Sequence, residues 1–275
     1  MRNVLVTHAD LPLGRRIVKV LWHDAGVDRI VAVGEGAVPR AFQPYRIGAA
    51  PRLVYERIDL ARQRSVSELF RSKRLRSLGV DSVVYVPRHG AGPEGPPVVA
   101  RVAARTAEAR HVLHFATESR AIERLVAVGS AFVYRLTPGN ANHLTEESPL
   151  DLDPQVPPEL RTWIDCDMLF RAALCGGASG VFNVAGHEAV PLSVLGRWTR
   201  RPCIPLPGPL LRAASAAAAQ LGNERLQTAL AGPHLRYGMS LDTRRAARAL
   251  GFAPRYRIGV VRAGDGVQRL EAVAT

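Results

Sequence analysis

Lysine is almost missing from this chain: of its 37 basic residues only Lys19 and Lys73 are lysines, and none lies beyond position 73 of 275. Chemistry that needs an ammonium group in the rest of the chain, whether a Schiff base or a cation tuning a tyrosine, is thereby excluded. The six tyrosines, Tyr45, Tyr55, Tyr85, Tyr134, Tyr237 and Tyr256, are followed four places on by Ala49, Asp59, His89, Pro138, Leu241 and Val260. No helix turn can therefore pair a phenol with an ammonium. Cysteine is scarce too: Cys166, Cys175 and Cys203 are odd in number and show neither C-x-x-C nor Cys/His ligand spacing. They read as buried thiols rather than a disulfide framework or a zinc site. No apolar run reaches the roughly 18 residues that span a bilayer. Met1-Arg2-Asn3 leads into Val4-Leu5-Val6 without a signal-peptide hydrophobic region. The expectation is a soluble, cytoplasmic protein without a membrane partner.

Acidic residues are outnumbered, and the formal charge of +13 raises the question of a polyanion, because Arg and Lys release counterions from phosphate backbones. The arginines are scattered singly and in pairs, and the preference for Arg over Lys is uniform, which fits a coding bias better than a dedicated patch. The densest group, Arg71-Ser72-Lys73-Arg74-Leu75-Arg76, falls on a predicted helix and reads as its solvated face. Nucleic acid is not the expected partner.

What the chain has is apolar content, 47% of its residues, enough for a sizeable core. Short continuous apolar runs at 2–6, 28–33, 53–58, 82–86 and 125–129 alternate with helical spacing over 14–21, 65–78 and 98–110, the last continuing to Ala116. Strands buried on both faces and separated by helices predict an α/β fold with a Rossmann-like, doubly wound parallel sheet. Such sheets bind ligands at the carboxyl ends of their strands. Past Tyr134 the pattern is irregular to about residue 161. Then come a helix over 167–174 stopped by Gly176-Gly177, a strand-like 181–185, an alanine-rich helix over 210–221, a break at Gly232-Pro233 and a helix over 242–250 ending at Gly251.

Four segments carry a resemblance. Val4 to Thr7 with Gly14-Arg15 has the form of a first strand and phosphate loop, and Ile58-Asp59-Leu60 that of a segment bordering an adenine. Val126 to Tyr134 with Thr145-Glu146-Glu147-Ser148-Pro149 matches a serine-bearing strand and the loop after it. Gly180 to Gly186, Asp242-Thr243 and Leu250 to Pro254 look like a C-terminal lobe. In this order they resemble the extended branch of the short-chain dehydrogenase/reductase superfamily, which includes NAD(P)-dependent epimerases and dehydratases. The resemblance implies a Rossmann-like nucleotide-binding domain over residues 1–186 and a small substrate-lobe-like region over 187–275 packed on it. It further implies cofactor contacts from Thr7, Leu11, Gly14, Arg15, Asp59 and Leu60, with NAD or NADP as the cofactor.

At the phosphate loop His8 and Leu11 stand where the family has its first two glycines, and only the packing glycine, Gly14, remains. Leu11 would project where a diphosphate needs bare backbone, and Pro12 suits a helix start but lacks an N–H. The helix N-terminus still offers its dipole to an anion. His8 reads as a polar surface residue of the loop that aids an anion only when protonated. Gly34 replaces the acid expected at the end of the second strand, with Glu35 one place late.

Ser130 holds the place of the family's catalytic serine, but no Tyr and Lys follow it. Trp163-Ile164-Asp165-Cys166-Asp167 reads as a later helix start, implying that the Tyr/Lys helix and the strand after it are deleted. Without a base Ser130 is a vestigial hydroxyl. Asp165 and Asp167 read as helix-entry caps, Glu146-Glu147 as a solvated acidic loop, and His111, His114 and His143 are spaced so as to define no metal face. No Gly-x-Ser-x-Gly elbow occurs. Neither an intact catalytic set nor a metal site is expected.

Three readings follow. The leading one is a catalytically degenerate epimerase/dehydratase-like protein acting by binding, either to a partner protein such as an active paralogue or to a nucleotide-like ligand in the former cofactor cleft. The second is an NAD(P)-dependent oxidoreductase or sugar-nucleotide epimerase with non-standard catalytic residues. The third is a basic regulator binding an acidic partner or nucleic acid.

Overall fold

Five parallel strands build the sheet that positions the site. In chain order the elements are β1 (Arg2–Val6), α1 (Pro12–Trp22), β2 (Val27–Gly34), β3 (Leu53–Arg57), α2 (Gln63–Arg71), α3 (Lys73–Ser77), β4 (Ser82–Tyr85), α4 (Val98–Glu118), β5 (Arg124–Ala127) and α5 (Pro158–Ala172). These come from a computed structural model that describes residues 1–45, 51–88, 98–140, 143–154, 156–173, 180–186, 190, 192–200, 207–222, 239–262 and 268–274. The expected loop at 89–97, the Gly176-Gly177 stop, the Gly232-Pro233 break, Cys175 and Cys203 lie outside the described residues.

The strand order is β3-β2-β1-β4-β5, with every pairing parallel. The chain runs outward from β1 through β2 and β3, then crosses back to lay β4 on the other side of β1. The reversal opens a crevice at the carboxyl ends of β1 and β4, the place where such sheets take ligands. Alternating side chains fill both faces, as strand pleating requires. Leu5, Val31, Val33, Val83 and Tyr85 pack with Leu69 and Phe70 of α2 and Ala109, Val112 and Phe115 of α4. Val4, Val6, Ile30 and Ala32 pack on the opposite face with Val18 of α1, Phe42 and Tyr55.

The strand expectations hold to within a residue or two. The single helix expected over 65–78 is broken in two at Ser72, whose hydroxyl donates to the Leu69 carbonyl at 2.8 Å and accepts from the Leu75 N–H at 3.0 Å. A serine that bonds its own backbone competes with the helical ladder, and here it ends one helix and caps the next. The basic cluster on these helices is partly neutralised by the pairing of Arg74 with Glu56 at 2.8 Å, while Arg76 donates to the Arg71 carbonyl.

The larger departure is α5. The helix expected over 167–174 starts nine residues earlier, at Pro158, and packs along α4, with Cys166 in the core cluster and Phe170 5.3 Å from Tyr85. α5 follows β5 and lies beside α4, and no further strand joins β5 among the described residues. Asp165 and Asp167 fall in the middle of α5, so neither caps its start.

The chain divides into two compact units, Met1–Ser130 with Pro158–Gly176, and Ala131–Pro157 with Gly177–Thr275. The division expected between 186 and 187 cuts across the second unit. That unit holds α6 (Leu192–Trp198), α7 (Gly208–Gln220), α8 (Arg244–Leu250) and an antiparallel hairpin of β6 (Tyr256–Arg262) with β7 (Gln268–Ala274). The stretch 181–185, expected as a strand, is irregular because its polar groups bond within a side-chain network instead of a ladder. Asn183 accepts from the Tyr134 hydroxyl at 2.8 Å, and its backbone N–H donates to Glu146 at 2.7 Å. No described helix is long and apolar enough to cross a membrane.

Candidate functional site

Thr7, at the carboxyl end of β1, is wholly buried; its hydroxyl donates to the Val86 carbonyl at 3.1 Å and accepts from the Val86 N–H at 2.8 Å. These bonds carry the β1–β4 pairing past the last ladder residue and fix the floor of the crevice. His8 follows in the left-handed region, φ 45°, a conformation that costs a residue with a Cβ but not glycine. The loop thus takes a turn that glycine adopts freely while carrying an imidazole. That ring is turned inward, 1% exposed, and its Nδ1 lies 2.7 Å from the Val86 carbonyl. His8 is therefore not the surface residue expected, because this geometry tucks the ring beneath the loop.

The imidazole meets a carboxylate from α4. Nε2 of His8 stands 3.3 Å from Oε2 of Glu108, and both side chains are at most 2% exposed. The contact lacks hydrogen-bond geometry, and neither atom has another hydrogen-bond partner among the described residues. On its other oxygen Glu108 faces Arg88 at 3.4 Å, and Arg88 also pairs closely with Glu35 just past β2. Burial works against charge on Arg88, but Glu108 and Glu35 together raise its pKa above the ordinary guanidinium value. Tyr85 at the end of β4 is pushed well above the usual phenol value by burial and then by Glu108. Two carboxylates, one guanidinium and one imidazole thus converge on the strand ends.

The rest of the loop is tightly determined. A Cβ on Gly14 would lie 2.8 Å from the His8 carbonyl carbon and 2.9 Å from Ala9 Cα, nearer still to the His8 oxygen, so only glycine lets α1 approach the loop. Leu11 is the N-cap of α1 without a side-chain hydrogen bond, and Pro12 occupies the first turn. Arg15 is exposed. Asp10 accepts from the Gly36 N–H at 2.8 Å, and a Cβ on Gly34 would lie 2.6 Å from its carboxyl carbon and from the Tyr55 hydroxyl. The missing acid at position 34 therefore has a steric cause: a carboxylate from the loop already fills its space. Tyr55, which donates to the Gly36 carbonyl at 2.9 Å, is pushed up to about 12 by burial, with Asp10 adding to the effect.

The other expected contacts lie elsewhere. Asp59 accepts from the Ala61 N–H at 3.0 Å, pairs with Arg62 at 2.9 Å, and borders a cavity of about 340 Å³ that shares no lining residue with the phosphate loop. Leu60 is a core residue whose carbonyl faces His111 at 3.2 Å.

No family model matches the sequence, and no curated protein does so either. Solved structures do match. One described as gox2253 aligns with 92% of this chain and 94% of its own at a TM-score of 0.67 and 14% identity. The terminal R domain of the myxalamid PKS-NRPS pathway aligns with 92% of this chain and 85% of its own at 0.59 and 16% identity. A dTDP-glucose 4,6-dehydratase from Bacillus anthracis, solved in complex with NAD, covers 62% of this chain and 50% of its own at 0.47 and 16% identity, so the match spans half that enzyme's length. These likenesses show a Rossmann-like fold.

Within that fold, α5 sets charged and aromatic groups near the end of β5. Asp167 of α5 points its carboxylate to within 3.7 Å of where a Cβ on Gly129 would stand, next to Ser130, and it pairs closely with Arg171. Four residues before it, the Trp163 ring lies 4.8 Å under the Arg105 guanidinium. Trp163 and Asp167 are four residues apart on α5 and bring an indole and a carboxyl group, not a phenol and an ammonium, to the end of β5. In the second unit Glu146 is buried under Asn183 and Glu147 pairs with Arg245 at 3.0 Å, so the Glu146 carboxylate is not solvated as expected. The sequence signal for Glu108 was slight: an acidic residue in the middle of an alanine- and arginine-rich helix, a hundred positions from its partner.

Proposed function

We propose that this protein is a catalytically degenerate member of the reductase fold that acts by binding, through a partner protein or a ligand at the former cofactor cleft, and not by hydride transfer. One observation carries the reading: the carboxyl ends of β1 and β4 are filled by the protein's own His8, Glu108, Glu35 and Arg88. A dinucleotide's diphosphate at a phosphate loop needs open backbone N–H groups and no nearby negative charge. Here Leu11 and Pro12 stand at the helix start, and the carboxylates of Asp10, Glu35 and Glu108 gather close by, which opposes a further pair of anions. Trp163 and Asp167 supply neither the phenol nor the ammonium that a carbonyl reduction or epimerisation draws on. The test is turnover: the purified chain with NADPH or NADH and a panel of aldehydes, ketones and nucleotide sugars. The reading expects no oxidation of the nicotinamide above the enzyme-free rate, and saturable turnover of any member of the panel overturns it.

A further inference from the structure

We propose that His8, Glu108 and Glu35 form a binding site for one divalent transition-metal ion of the zinc class, a function beyond the reading above and independent of it. The three side chains bring one ligand atom each to within 4.8 Å of one another, from the loop after β1, from α4 and from the loop after β2.

The arrangement of His8 is that of a ligand. Its Nδ1 faces the Val86 carbonyl at 2.7 Å; an N–H donated there leaves the Nε2 lone pair facing Glu108. Metal-bound imidazoles are commonly held this way, with the far nitrogen donating to a carbonyl that sets the tautomer and the ring plane. The strained φ of 45° at His8 is the backbone cost of aiming the ring there.

The unsatisfied atoms point to the same place. Nε2 of His8 and Oε2 of Glu108 are buried, 3.3 Å apart, and without a hydrogen-bond partner among the described residues. An imidazolium bonded to the carboxylate would stand in line at about 2.7–2.9 Å. Two donors bound to one tetrahedral ion at about 2.1 Å lie about 3.4 Å apart, which is the spacing seen. Glu35 is the third arm; its side chain is 34% exposed and among the described residues pairs with Arg88, so it can swing in once that pair opens. The Glu108 and Glu35 carboxylates supply the negative charge that a dication draws on, and the Arg88 guanidinium they now share is the group an ion would displace. One nitrogen and two oxygen donors select zinc-like ions over magnesium or calcium, which prefer oxygen alone.

The experiment is calorimetric titration of the untagged, chelator-stripped full chain with zinc chloride, repeated with cobalt(II) as a visible-absorption probe. The expected result is one ion per chain with a dissociation constant below about 10 μM and cobalt bands typical of low coordination. Loss of a direct ligand weakens a metal at least as much as loss of an outer-shell partner, about 10- to 100-fold, so Glu35→Gln, at a partly exposed position, should weaken zinc more than tenfold. Glu108→Gln should do the same where it folds. Absence of binding by the wild type overturns the proposal, as does undiminished binding by folded Glu35→Gln, which would place the ion on other histidines.

Discussion

The His8 imidazole and the Glu108 carboxylate, a hundred residues apart in sequence, face each other at 3.3 Å with their side chains 2% and 1% exposed. They lie at the switch point of the sheet, so the fold's ordinary ligand position is held by an internal polar cluster. Removing one member of a buried charged set leaves the others desolvated and unpaired. Glu108→Ala should therefore cost about 3 kcal/mol, read as a lower urea midpoint with a chelator present. An unchanged midpoint would mean that the cluster is open to water.

Thr7 makes both its hydrogen bonds to the backbone of Val86. Thr7→Val keeps the shape and strands a buried N–H, and should lose about 1–3 kcal/mol, while Thr7→Ser should recover most of it. Equal stability of the two variants by equilibrium denaturation would contradict the role given to the hydroxyl.

Gly14→Ala should destabilise the protein by about 2 kcal/mol or more, because its Cβ meets backbone atoms of His8 and Ala9 that cannot rotate away. Gly34→Asp restores the family's acid in sequence but drives it into Asp10 and Tyr55. It should lower the melting temperature without creating dinucleotide affinity. A gain of NADH binding in that variant would contradict the steric account.

Burial pushes the Cys166 thiol from its ordinary 9.0 up to about 11. Its neutral form is the one the fold accommodates, so the contribution is intact below pH 9, where the unfolded thiol is also protonated. As pH rises toward 11 the unfolded chain ionises first, and stability falls by about 1.4 kcal/mol per pH unit over that window. Wild type should lose stability relative to Cys166→Ala between pH 9 and 11 and track it below, as followed by denaturant midpoints. Parallel curves throughout would show that the thiol is not desolvated.

The strands were legible because each is a short run of β-branched and aliphatic residues, a pattern that a doubly wound sheet buried on both faces imposes and little else does. The start of α5 was placed nine residues late because Pro157-Pro158 and the polar run before it look like loop. The β6–β7 hairpin was missed although Gly264-Asp265-Gly266 between two alternating stretches is a hairpin signal. The loss of the phosphate-loop glycines could be read directly. What replaced them could not, since the burial of His8 depends on a backbone angle and on Glu108, a contact between distant positions that no local pattern encodes.

The central claim is that the crevice at β1 and β4 no longer accepts a dinucleotide. Isothermal titration calorimetry of the chain with NAD, NADH, NADP and NADPH reads it directly. The account predicts no binding tighter than about 100 μM for any of the four, and a saturable isotherm below that value, about −5.5 kcal/mol, would contradict it.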